Sequence, residues 1–188
     1  MNISDLFNKY KIKVDPKFVL DCWNEPHRGY HNLNHLNDLI SQINEDYGYG
    51  SINEIEREKL TLAALFHDLV YDPTRSDNEE KSAEIFYRFC AEQYNVDLVE
   101  VKQIILDTKT QIPCTPLSQR FIDYDLNICE RKFDELIEWE QGIREEYSMF
   151  SADDYKNIRI KFLESCLDKF PMNTDNLLDL INWVKSNY

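Results

Sequence analysis

Two stretches decide how this chain is read: YHNLNHL, Tyr30–Leu36, and ALFHDLVYD, Ala64–Asp72. All four histidines of the protein, His27, His31, His35 and His67, lie in or beside them. The first stretch opens a segment in which Leu33, Leu36, Leu39, Ile40 and Ile43 recur at helical spacing, so a helix is expected from about His31 to Asp46. Residues four apart on a helix project only about 40° from one another, which lets His31 and His35 address one point. The second stretch closes the apolar run Leu60, Leu62, Ala63, Leu65 and Phe66, and delivers His67 with a carboxylate, Asp68, directly attached. Ala63 and Ala64 leave room for a neighbouring helix. Neutral imidazole and carboxylate together suit divalent first-row metals. The residues point to two crossing helices that hold a metal ion near the end of a buried helix.

Working outward, the signals remain helical. Upstream, residues 3–11 form a short helix and Pro16 opens a second through Trp23, before Pro26 and Gly29 interrupt the pattern. Ser51 with Glu54 three residues on reads as the capping box of the helix that ends at His67. Downstream, Asp77 caps a helix from Asn78 to Tyr94, Asp97 with Glu100 begins another, and Thr115-Pro116 marks the next. Helices over about 131–147 and 152–169, the latter started by Ser151 and Asp154, precede a last one from about Asp175 to Ser186. No stretch alternates with period two between turn signals, so the fold is expected to be all-α, a helical bundle forming one domain over residues 1–188.

Composition narrows the function. The formal charge of −14 repels a phosphate backbone, which argues against a nucleic-acid polymer or an anionic membrane as partner. A small anionic substrate would then need a metal or a few arginines. Four scattered glycines, Gly29, Gly48, Gly50 and Gly142, supply neither a phosphate-cradling loop nor a dinucleotide fingerprint. Five cysteines without a CxxC pair suit reduced thiols in a cytoplasmic protein, and no segment has the length and apolarity of a membrane span or signal sequence.

A further group of ligand type lies in FIDYDLNICE, where Asp123 and Asp125 occupy an apolar neighbourhood that makes an unpaired carboxylate costly to bury. Positions two apart point away from each other on a helix, so a single site would use one of the pair. With these residues in place, the ordered set of His35, His67-Asp68 and a downstream Asp125 resembles the HD-domain superfamily of metal-dependent phosphohydrolases. More closely, EPHRGYHNLNH, FHDLVYDPTRSDNEEKSAE and DYDLNI, with REEY further on, resemble small predicted HD phosphohydrolases, and YHNLNHLND is similar to a helix of cyclic-nucleotide phosphodiesterases.

The resemblance implies His35, His67, Asp68 and Asp125 as metal ligands and His31 as general acid. Aligning Arg28 and His31 with the generic start of HD domains instead makes His31 the ligand. Glu79, supported by Asn78, would orient the attacking water, and Arg28, Arg144 and Arg159 would clamp a phosphate by bidentate contacts. The expected activity is metal-dependent hydrolysis of a small phosphate ester or nucleotide. Manganese, nickel, iron, magnesium and zinc all tolerate such mixed ligation. No histidine follows His67, which disfavours a histidine-supported second metal and HD-type di-iron oxygenation, and motivates a second reading as a non-catalytic nucleotide- or metal-binding sensor.

Overall fold

The computed structural model describes residues 2–90 and 96–188. Every regular element among them is helical: α1 (Ile3–Lys9), α2 (Pro16–Trp23), α3 (Leu33–Gly48), α4 (Glu54–Phe66), α5 (Asn78–Phe89), α6 (Val96–Thr110), α7 (Pro116–Asp125), α8 (Phe133–Glu146), α9 (Ala152–Lys169) and α10 (Thr174–Asn187), with short 3-10 turns at Asn127–Glu130 and Pro171–Asn173. The protein is all-α. Residues 91–94, where the helix from Asn78 was expected to finish, lie outside the described residues. No helix among those described is long and apolar enough to cross a membrane.

The backbone divides into two compact units, Met1–Glu25 with His31–Tyr124, and Pro26–Tyr30 with Asp125–Tyr188. Length suggested one core, whereas the described residues form two clusters of buried apolar side chains, one in each unit. Nothing in the sequence flags the division, because the chain leaves the first unit inside the last turn of α7 rather than through a Pro/Gly-rich linker.

The first unit is built around α4, which packs against α3 and α6, while α6 also packs on α5. Leu60 and Leu62 through Phe66 are all fully buried, as expected of a helix that is apolar around its whole circumference. Its capping box differs from the expected one. Asn53, not Ser51, accepts from the amides of Ile55 (2.9 Å) and Glu56 (3.1 Å), and Glu56 accepts from the Asn53 amide at 2.8 Å. Asn and Glu three apart satisfy the same rule two residues later. The start of α3 also shifts: Asn32 is the N-cap, accepting from the Asn34 amide at 2.8 Å, so His31 stands just outside the helix. At its far end α3 holds α7, because Asp46 accepts from both the Arg120 guanidinium and the Tyr124 hydroxyl.

Asp107 staples the α6–α7 connection. Its carboxylate accepts from the Cys114 amide (2.8 Å), the Ser118 hydroxyl and Gln103 Nε2 (2.7 Å), across a turn in which Gln111 takes a positive φ of 55°. Burial by itself would raise the Asp107 pKa, but these donors outweigh it and hold the carboxyl below the ordinary carboxylate range. A depressed folded pKa contributes stability that is fully present above the unfolded value near 4 and lost as pH falls through the folded value. Asp107→Ala is therefore expected to cost about 1–3 kcal/mol at neutral pH and less below the unfolded value near 4, where the contribution of the carboxylate declines. Urea unfolding of both proteins at pH 7 and pH 3 checks this.

In the second unit α10 packs on α8 and α9 around Leu136, Leu163, Cys166, Leu177 and Val184. Ser151 caps α9 by accepting from the Asp154 amide, as the sequence indicated. The segment Pro26–Tyr30 lies on α8 at a glycine–glycine contact: a Cβ on Gly29 would fall 2.4 Å from the Gly142 carbonyl oxygen. The Tyr30 amide donates to Glu146 Oε1 at 2.8 Å, and its ring meets Trp139 edge-on. Only residues without a side chain allow this approach.

Candidate metal centre

Three side chains of the first unit converge. His35, His67 and Asp68 each place one ligand atom so that all lie within 4.8 Å of one another, with both histidines buried and the carboxylate nearly so. His67 is the C-cap of α4 and keeps helical dihedrals (φ −62°, ψ −40°), so the buried end of that helix projects it into the cluster. His67 Nδ1 sits 3.1 Å from the Ala64 carbonyl oxygen. A carbonyl only accepts, so Nδ1 carries a proton, leaving Nε2, 3.2 Å from Asp68 Oδ2, as the nitrogen through which His67 would bind a metal. This is the tautomer that a metal-ligating histidine requires. His35 comes from the first turn of α3, its ring centre 5.8 Å from that of His67. Two imidazoles and a carboxylate at this spacing fit a divalent cation.

The remaining residues expected at the site are distributed as follows. His31 belongs to the same unit, with Nε2 4.0 Å from Asp68 Oδ2 and its ring 5.7 Å from that of His35. Glu79, on the first turn of α5, has its pKa raised chiefly by burial and further by the negative charge of Asp68. Asn78 spends both ends of its amide on the Asp72 backbone, accepting from the amide (3.2 Å) and donating to the carbonyl (2.8 Å).

Asp125 is the last residue of α7 and the first of the second unit's main segment. Its neighbour Asp123 is exposed and accepts from Gln119 Nε2 one turn back, an ordinary surface arrangement. Arg28, Arg144 and Arg159 all belong to the second unit. Arg28 is buried in the Pro26–Tyr30 segment. Arg144 donates to the carbonyls of Tyr147 and Phe150 at the end of α8, and Arg159 pairs with Glu140.

Residues 35–124 match the family described as HD domain. This match supports membership of the HD-domain superfamily. It begins at His35 and spans all three clustered ligands, with His31 and Asp125 just outside its two ends. HD domains commonly are hydrolases and usually bind a divalent metal, and the His/Asp cluster is compatible with that. No curated protein and no solved structure matches the chain.

The HD domain's site has supports that sequence reasoning missed. Trp23, fully buried at the end of α2, lies against both imidazoles, 5.3 Å from the His67 ring and 6.2 Å from that of His35, and is anchored by donating Nε1–H to the Leu65 carbonyl. Phe121 meets the His67 ring edge-on at 5.3 Å. Tyr71 stacks on His31. An apolar run ending in tryptophan is an ordinary core signal, and nothing in its spacing marks Trp23 as a neighbour of ligands. Tyr71 was within the quoted FHDLVYD stretch but carried no ligand chemistry to single it out.

Proposed function

We propose that the protein is a metal-dependent phosphohydrolase acting on a small phosphate ester or nucleotide. The observation that carries this reading is the approach of His35, His67 and Asp68 to within 4.8 Å inside an HD domain. These residues would hold the cation. A divalent cation bound there supplies Lewis acidity, acidifying water and offsetting negative charge on a phosphoryl group. His31 carries a proton on Nε2 for the leaving oxygen. Glu79 accepts a hydrogen bond from the attacking water and so fixes its approach. Asn78 serves this arrangement indirectly, by holding the turn at Asp72. The charge of −14 favours a small substrate over a nucleic-acid polymer or anionic membrane, because only a local cation offsets the field.

The test is to load the protein separately with manganese, nickel, iron, magnesium and zinc, measure bound metal, and follow hydrolysis of an aryl phosphate and a panel of nucleotides. Turnover with at least one metal, lost in His67→Ala, is the expected result. Thermal stabilisation by a nucleotide without turnover under any of these metals would overturn the hydrolase and leave a sensor.

A further inference from the structure

His31 poses a problem of aim. Because α3 begins only after Asn32, His31 lacks the helical backbone that fixes the direction of His35. Its imidazole instead lies against the ring of Tyr71, with centroids 4.4 Å apart and planes inclined by 30°. That pairing is shorter than the contact of His31 with His35 at 5.7 Å. A face-to-face contact of this closeness is attractive and restricts the tilt of both rings.

Tyr71 is itself held from both sides. The preceding residue, Val70, donates its amide to Ser82 Oγ at 3.0 Å. The following residue, Asp72, exchanges two hydrogen bonds with the Asn78 side chain. Asn78 and Ser82 stand four apart on α5, so one face of that helix grips the backbone on either side of Tyr71. The turn after the His67-Asp68 pair is thus clamped, and its one aromatic side chain is delivered to His31.

We propose that Tyr71 is the positioning residue of this site: clamped by Asn78 and Ser82, its ring stacks on His31 and holds the imidazole toward Asp68. This rests on the reading of His31 as proton donor in phosphate-ester hydrolysis. The ring contact uses the aromatic face, which phenylalanine keeps and an aliphatic side chain of similar bulk does not.

The experiment compares the full-length wild type with Tyr71→Phe and Tyr71→Leu, checking that each is folded by circular dichroism and binds the same amount of metal. Two readouts are taken. In the metal-free proteins, the His31 ring protons are followed by NMR: they are shifted upfield by the facing ring in wild type and Tyr71→Phe, and lose that shift in Tyr71→Leu. In the metal-loaded proteins, kcat for an aryl phosphate falls roughly 10- to 100-fold in Tyr71→Leu with KM little changed, and is retained in Tyr71→Phe. An active wild type with Tyr71→Leu equally active, or with the His31 shift unaltered, overturns the role of Tyr71 and leaves the hydrolase reading standing. A wild type without turnover under any metal overturns the hydrolase reading and the positioning role together.

Discussion

Asp68→Ala is expected to abolish stoichiometric metal binding and to lower metal-dependent phosphate-ester hydrolysis by roughly a thousandfold or more, with helical content unchanged. Asp68 supplies the only carboxylate of the three-residue cluster, and its Oδ2 lies 3.2 Å from His67 Nε2 and 4.0 Å from His31 Nε2. Removing it takes away a donor and the negative charge that makes a buried divalent cation tolerable there. Metal-derived charge stabilisation amounts to several kcal/mol of the barrier, and each 1.4 kcal/mol or so is a factor of ten in rate. Elemental analysis and kcat with the best metal are the measurements, and undiminished activity in Asp68→Ala would contradict the assignment.

Arg159→Ala is expected to destabilise the second unit by about 3–5 kcal/mol, the largest stability effect anticipated for a single substitution here. Arg159 Nε donates to Glu140 Oε2 at 2.5 Å, the Tyr155 hydroxyl donates to the other oxygen, and the Glu140 side chain is fully buried. The Arg159 Nη2 is buried without a hydrogen-bond partner, so the guanidinium rests on Glu140 and on the faces of Trp139 and Phe162, 4.1 and 4.9 Å away. Burial works against this charge, and Glu140 opposite it keeps the arginine protonated. Truncating the arginine strands a carboxylate in an apolar core. Replacing both partners, as Arg159→Met with Glu140→Gln, removes both charges and keeps an acceptor for Tyr155, so most of the loss is recovered. Denaturant unfolding of the singles and the double checks this. A single substitution as mild as the double would mean that the pair contributes little.

The sequence made the helical class and the heart of the site legible because both depend on local, periodic signals. Leu36, Leu39 and Ile43 mark the buried face of α3, and the run ending in Phe66 marks a helix buried on all sides, which places His67 and Asp68 at its end without any tertiary information. What stayed hidden depends on choices between near-equivalent local signals, or on contacts distant in sequence. Ser51 and Asn53 are both good caps, each with glutamate three residues on, and only the folded backbone selects Asn53. Asn32 competes successfully for the start of α3, which removes His31 from the helix.

The arginines illustrate the second limit. Arg144 and Arg159 carry the right chemistry for phosphate, but their partners at Tyr147, Phe150 and Glu140 are set by the packing of the second unit. The division into two units was equally invisible, since Gly29 and Gly142 gain their meaning from a contact across more than a hundred residues and Asp125 lies at an unmarked boundary inside α7. Trp23 and Tyr71, aromatic side chains with no ligand atoms, act through the faces they offer to the histidines.

Diffraction from zinc-soaked crystals, recorded on either side of the zinc absorption edge, shows whether His35, His67 and Asp68 share one metal ion. An anomalous peak is expected about 2.0–2.2 Å from one nitrogen each of His35 and His67 and from an Asp68 oxygen. A fully zinc-loaded crystal with no peak among these three side chains, or with its peak elsewhere on the molecule, would contradict it.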